Sequence, residues 1–181
     1  VYVSCLYTLA SFVRREKSFL FIKNFFPAVI TGFGTMSSAS ALPLLFEGAE
    51  KNKTSKGLSR LVLSITVNIH FIGDCLAIPL FSFALLQNFG MSFPDPFSFL
   101  IFSFFFVLAK FAVAAVPAGG ILVMLTVLEQ YFGFSTSMLS MVTTIYILFD
   151  PIITAVNVAG NGAFVLLFDR LSLRLNSRKI S

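Results

Sequence analysis

Charge is scarce in this chain. Asp, Glu, Lys and Arg make up 12% of its 181 residues, against 57% apolar residues and a mean hydropathy of +0.91, which excludes an ordinary soluble domain. Cysteine is also rare: Cys5 and Cys75 sit in apolar sequence without metal-type spacing, which argues against a disulfide framework. No nucleophile stands with a base and an orienting group, and no glycine-rich loop follows a strand, so the chain reads as a non-enzyme with no cofactor. A cleavable signal peptide and an initiator Met are both missing, and the chain opens at Val1 inside an apolar run. That start suggests the C-terminal part of a longer protein, or a truncated gene product.

The sparse charges are nevertheless ordered. Arg14, Arg15, Lys17 and Lys23 form one basic cluster, Lys51, Lys53, Lys56 and Arg60 a second, and Arg170, Arg174, Arg178 and Lys179 a third, while 87–98 and 129–137 contain no Lys or Arg. By the positive-inside rule the clusters are cytoplasmic and the two connectors external. The net charge of +5 is then a topology signal: it implies contact with membrane lipid and no nucleic-acid site. Lys110 alone lies inside an apolar run.

A spanning helix needs about 20 apolar residues, and five apolar segments can be drawn. Residues 1–12 are the end of a membrane helix, 18–50 return to the cytoplasmic side, 58–86 span, 97–132 return to the outside, and 138–168 span back to a basic tail, 169–181. Segments 18–50 and 97–132 are each interrupted by a tip of small residues and proline, Ser37-Ser38-Ala39-Ser40-Ala41-Leu42-Pro43 and Ala115-Val116-Pro117-Ala118-Gly119-Gly120. Irregular backbone at membrane depth survives only where protein or a water-filled cavity satisfies it, so the tips point to a binding site. The predicted fold is all-α: a polytopic membrane protein with two oppositely oriented re-entrant helical hairpins and two broken spanning helices. Span 58–86 carries His70, Gly73 and Asp74, and span 138–168 carries Asp150, Thr154, Asn157 and Asn161, polar groups whose cost in lipid marks them as functional.

These motifs resemble those of the dicarboxylate/amino acid:cation symporters, the glutamate/aspartate transporter homologues. The serine-rich tip looks like the family's first tip, Ala115 to Gly120 like its second, and Val156-Asn157-Val158-Ala159-Gly160-Asn161 like the Val-Asn-Val-Thr-Gly-Asp of its last span. The resemblance runs from about Leu20 onward and corresponds to the substrate-binding half of the transport domain. It implies a secondary active symporter in an integral, bacterial-type inner membrane, with the C-terminus cytoplasmic and a homotrimeric full-length protein. The rival reading is a transport-inactive remnant or a passive membrane subunit.

The resemblance also assigns roles. Ser37, Ser38 and Ser40 with Val116, Pro117, Gly119 and Gly120 imply a substrate cradle and gate, while Asp150, Thr154 and Asn157 imply contacts to an amino-acid substrate. The family's Asn-Met-Asp-Gly-Thr falls on His70-Phe71-Ile72-Gly73-Asp74, its substrate-side Arg on Ile153, and its last acidic cation ligand on Asn161. An acidic substrate side chain loses its guanidinium partner, so the expected cargo is an amino acid or related organic anion other than aspartate or glutamate, and the coupling ion is left between sodium and proton. His70, Gly73, Asp74, Asn157, Asn161 and Lys110 are the coupling candidates. No metal ligand set is assigned. His70 and Asp74, four apart, share a helix face if the helix is continuous there; the alternatives are a proton carrier and a structural pair. Lys110 either snorkels outward along its stem or places its ammonium where a cation is lost beside Asp74.

Overall fold

A computed structural model describes residues 1–14, 17–112 and 119–180. All regular structure in them is helical: α1 (Tyr2–Arg14), α2 (Ser18–Thr35), α3 (Leu42–Lys51), α4 (Lys56–Thr66), α5 (Ile72–Asn88), α6 (Pro96–Ala112), α7 (Gly119–Leu122), α8 (Met124–Phe132) and α9 (Thr136–Ile180).

Helices α2 and α3 form the first hairpin. Met36, in the left-handed conformation, ends α2, and Pro43 lies in the first turn of α3, where its missing N–H costs nothing. The two helices run antiparallel and close together because Gly48 carries no side chain: a Cβ there would meet the Phe25 ring at 2.5 Å and the Asn24 carbonyl at 2.9 Å. The second hairpin pairs α6 with α8 through stacked rings. Phe102 lies 4.4 Å from Phe132, and Phe105 lies 5.0 Å from Tyr131.

Between the hairpins, the predicted span 58–86 is two helices. Helix α4 closes with tight backbone bonds from Ile69 and His70 to the Thr66 carbonyl, and the chain restarts at Ile72. The last predicted span is different. Span 138–168 was expected to be broken as well, but α9 runs without interruption from Thr136 to Ile180, with Pro151 inside it. Proline removes one N–H from the helix, and the packed neighbours of α9 hold the remaining turns in register. One stretch of α9, Thr136–Leu173, is long and apolar enough to cross a membrane; the apolar parts of α5 and α6, Ile72–Asn88 and Pro96–Phe111, are shorter. The helix also continues through the segment predicted as a basic tail.

Helix α9 is the axis of the molecule. One core on it joins α1, the first hairpin and α4 through Tyr7, Phe21, Phe25, Leu45, Leu63 and Leu166. The other joins α5 and the second hairpin through Ile78, Phe102, Met124, Leu128, Met138 and Val142. Large apolar side chains also cover the outside, among them Phe19, Phe26 and Phe33 on α2 and Phe97, Phe104 and Phe111 on α6. This surface suits lipid or further protein and does not suit water.

Candidate functional site

Helix periodicity puts Tyr146, Asp150, Thr154, Asn157 and Asn161 on one stripe of α9, and all five are buried. The broken segment between α4 and α5 lies against this stripe. Two glycines permit the approach: a Cβ on Gly73 would collide with the Ile153 carbonyl, and one on Gly160 would meet the Ile72 side chain at 2.8 Å. The start of α5 is thereby buried, and its unpaired N–H groups need partners. Asn157 supplies one, since its Oδ1 accepts from the Gly73 N–H at 2.7 Å.

The opposite end of the same amide turns to Asp74. Asn157 Nδ2 donates to Asp74 Oδ2 at 2.8 Å, while Asp74 Oδ1 accepts from the Tyr146 hydroxyl at 2.5 Å and from Lys110 Nζ at 2.5 Å. Asp74 is 3% exposed and Lys110 7%, so the ion pair is buried, and its electrostatic interaction is far stronger than at a surface. Lys110 therefore does not snorkel outward. Its ammonium also lies 5.3 Å from the Phe71 ring and 5.9 Å from the rings of Phe106 and Tyr146. Three elements meet at one carboxylate: α5 supplies it, α9 supplies two donors, and α6 supplies the charge partner.

His70 and Asp74 are not the one-face pair expected from their spacing. His70 precedes the first turn of α5, in non-helical backbone, so four residues no longer bring two side chains together. Its Nδ1 instead lies 2.9 Å from Asn161 Oδ1, and its ring tilts at 42° to Phe164. Asn161 Nδ2 is buried and without a partner.

Farther along the stripe, Asp150 Oδ1 accepts from the Thr154 hydroxyl at 3.1 Å. Ile153 is buried within the same turn. Helix α2 of the first hairpin reaches this region: a Cβ on Gly32 would touch Val158 at 2.7 Å and Thr154 at 3.6 Å. At the tip itself Ser38 is buried, and the Ser40 N–H lies 3.4 Å from Ser37 Oγ. Gly119 and Gly120 open α7. Val116 and Pro117 lie outside the described residues.

The donor and acceptor inventory decides what this seam can hold. Sodium needs oxygen lone pairs aimed at one point. Both Asp74 oxygens and the Asn157 and Asn161 carbonyl oxygens already meet hydrogen-bonding partners, and the orphan group is an N–H of Asn161. Among the described residues no three His, Cys, Asp or Glu side chains converge as metal ligands. The Asp74 end of the seam does not fit a sodium ion, because a lysine is already there.

Tyr146 was missed in the sequence, although it stands four residues before Asp150 on the same stripe. Arg14 and Asp169 were missed as a pair. Arg14 bonds Asp169 Oδ2 at 2.9 Å and the Asn52 carbonyl at 2.8 Å, while Asp169 Oδ1 accepts from the Ser55 N–H at 2.8 Å. The end of α1, the α3–α4 turn and the last turns of α9 are thus joined, and parts of all three basic clusters come to one end of the molecule.

Residues 1–171 match the sequence profile of the sodium:dicarboxylate symporter family. The chain is 31% identical over 151 residues to excitatory amino acid transporter 2 of Homo sapiens, covering 83% of this chain and 26% of that protein. It is 31% identical over 158 residues to an excitatory amino acid transporter of Caenorhabditis elegans, covering 85% and 31%. With excitatory amino acid transporter 1 of Ambystoma tigrinum it shares 28% over 163 residues, covering 88% and 29%. The chain spans less than a third of the length of these relatives.

Proposed function

The chain belongs to the sodium:dicarboxylate symporter family, and on that premise we propose that it forms the substrate-binding core of a secondary transporter for amino acids with uncharged side chains. The observation that carries this reading is one buried turn of α9 bearing Asp150 and Ile153. Asp150, bonded to Thr154, is a carboxylate suited to a substrate ammonium. Ile153, where an acidic cargo needs a cation, offers only hydrocarbon. Burying a second substrate carboxylate there without a partner costs several kcal/mol. The first tip, with Ser37, Ser38 and Ser40, supplies hydroxyls and backbone N–H groups to the substrate's own carboxylate, and the second tip around Gly119 and Gly120 gates the site.

In this reading both hairpins are re-entrant, from opposite faces, and the end that holds Arg14, the α3–α4 turn and Asp169 is cytoplasmic. The longer protein is a trimer in a bacterial-type plasma membrane. Sodium is the coupling ion suggested by family membership; the saturated oxygens around Asp74 favour a weakened or lost sodium requirement, with a proton as the alternative.

Counterflow in proteoliposomes with a panel of amino acids is the test. Neutral amino acids are expected to exchange, aspartate and glutamate to fail, and Asp150→Asn to abolish exchange. Saturable micromolar aspartate exchange refutes the substrate assignment.

A further inference from the structure

We propose that Lys110 is a tethered cation, the built-in occupant of a monovalent-cation pocket formed by the Asp74 carboxylate and the faces of Phe71, Phe106 and Tyr146. This inference rests on the reading of the chain as a carrier and deepens its coupling. A positive charge delivered by α6 takes the place of one that would otherwise arrive from solution.

The pocket has the chemistry of an ammonium site. The carboxylate supplies the counter-charge at 2.5 Å, and the three rings, 5.3 to 5.9 Å from the nitrogen, supply the negative faces that attract a weakly hydrated cation. Tyr146 and Asn157 hold the carboxylate by its two oxygens, so the counter-charge is fixed by α5 and α9 whether or not the lysine is present. The occupant and one wall, Phe106, come from a different element. Lys110 stands near the end of α6, the first helix of the second hairpin, and reaches Asp74 on its own flexible stem. A cavity of about 50 Å³ lies beside the stem, lined by Phe71, Cys75, Phe106 and Val107. Two consequences follow. The charge comes with the chain at any external salt concentration, and a withdrawal of α6 carries it away from Asp74. Entry of a coupling cation is thereby replaced by a movement of the second hairpin.

Removing the tether tests this without any transport measurement, so failure here is separable from failure of the substrate assignment. Lys110→Ala deletes the equivalent of n-propylammonium. The unfolding midpoint of the purified protein is measured in n-propylammonium, sodium, potassium or choline chloride at equal ionic strength. The variant is expected to unfold at a lower temperature than wild type and to recover most of the difference in n-propylammonium, saturably. Sodium and potassium should restore less and choline none, because choline is too large. Wild type, and Lys110→Ala combined with Asp74→Asn, should not respond. If Lys110→Ala folds only when the amine is present during membrane extraction, that recovery is the same result. Equal stabilisation of wild type by the amine overturns the proposal. So does the absence of rescue by any cation while Lys110→Met combined with Asp74→Asn folds normally.

Discussion

Among the described residues, two ion pairs are largely withdrawn from the surface, and they look alike but are built differently. Arg14–Asp169 lies where the basic clusters meet, and its partners are largely backbone: the Asn52 carbonyl bonds the guanidinium, and the Ser55 N–H bonds the carboxylate. Lys110–Asp74 lies in the polar seam, and its other partners are the side chains of Tyr146 and Asn157. If one residue of the first pair is removed, the backbone groups still satisfy much of what remains. Removing Asp74 from the second leaves an ammonium among aromatic rings, and removing Lys110 leaves a buried carboxylate with neutral donors only. The first arrangement is a staple between elements that stay together; the second joins a fixed seam to a helix that can withdraw. Buried pairs add little net stability but cost a great deal to break, so the placement of the second pair is better explained by movement than by stability.

The largest expected effect comes from breaking that second pair. Asp74→Asn strands the Lys110 ammonium and should lower stability by about 3–5 kcal/mol, read from denaturant unfolding in detergent. Adding Lys110→Met should restore most of the loss. Equal or additive losses in the double variant would remove the distinction between the two pairs. Asp169→Asn should cost less, about 1.5–3 kcal/mol, the range for a hydrogen bond to a charged group, because the Asn52 and Lys53 carbonyls remain to hold Arg14.

Gly73→Ala sharpens the comparison from the backbone side. The added methyl meets the Ile153 carbonyl and pushes α5 from α9, at an expected cost of about 1–3 kcal/mol. It should also weaken the Asp74 network while leaving the Arg14 staple intact, as seen in hydrogen exchange at α5 against that at the α3–α4 turn. The smallest effect lies outside both pairs. The hydroxyl and N–H of Ser98 and the N–H of Phe97 bond Asp95 and hold its carboxyl below the usual range. A carboxyl lowered by folding stabilises above its unfolded pKa, and that contribution disappears as pH falls through the folded value. Protection factors at the start of α6, taken relative to the intrinsic exchange rate at each pH, should fall in acid. They should be insensitive to acid in Asp95→Asn.

Much of this architecture was legible in the sequence because hairpins and breaks are written in local residues. The serine-rich tip, Pro43 and the polar interruption at His70 to Asp74 each act on the backbone where they stand. The break expected in span 138–168 is not found, because the turns around Pro151 are held by packing along the whole of α9. Side-chain partners were less legible. Lys110 and Asp74 are 36 residues apart, and only the fold aims one at the other; His70 and Asp74 are close in sequence, yet the interrupted helix separates them. Tyr146 was within reach, since helical spacing places it on the Asp150 stripe. The second tip at Val116 and Pro117 stands as a sequence expectation.

The central claim is that the cation of the Asp74 pocket is carried by the chain itself. Its most direct test is substrate exchange in proteoliposomes, using the neutral amino acid that exchanges best, while sodium is replaced stepwise by choline. The exchange rate should hold nearly constant across the series in wild type. A steep, saturable sodium requirement would contradict the claim and return the coupling ion to the solution.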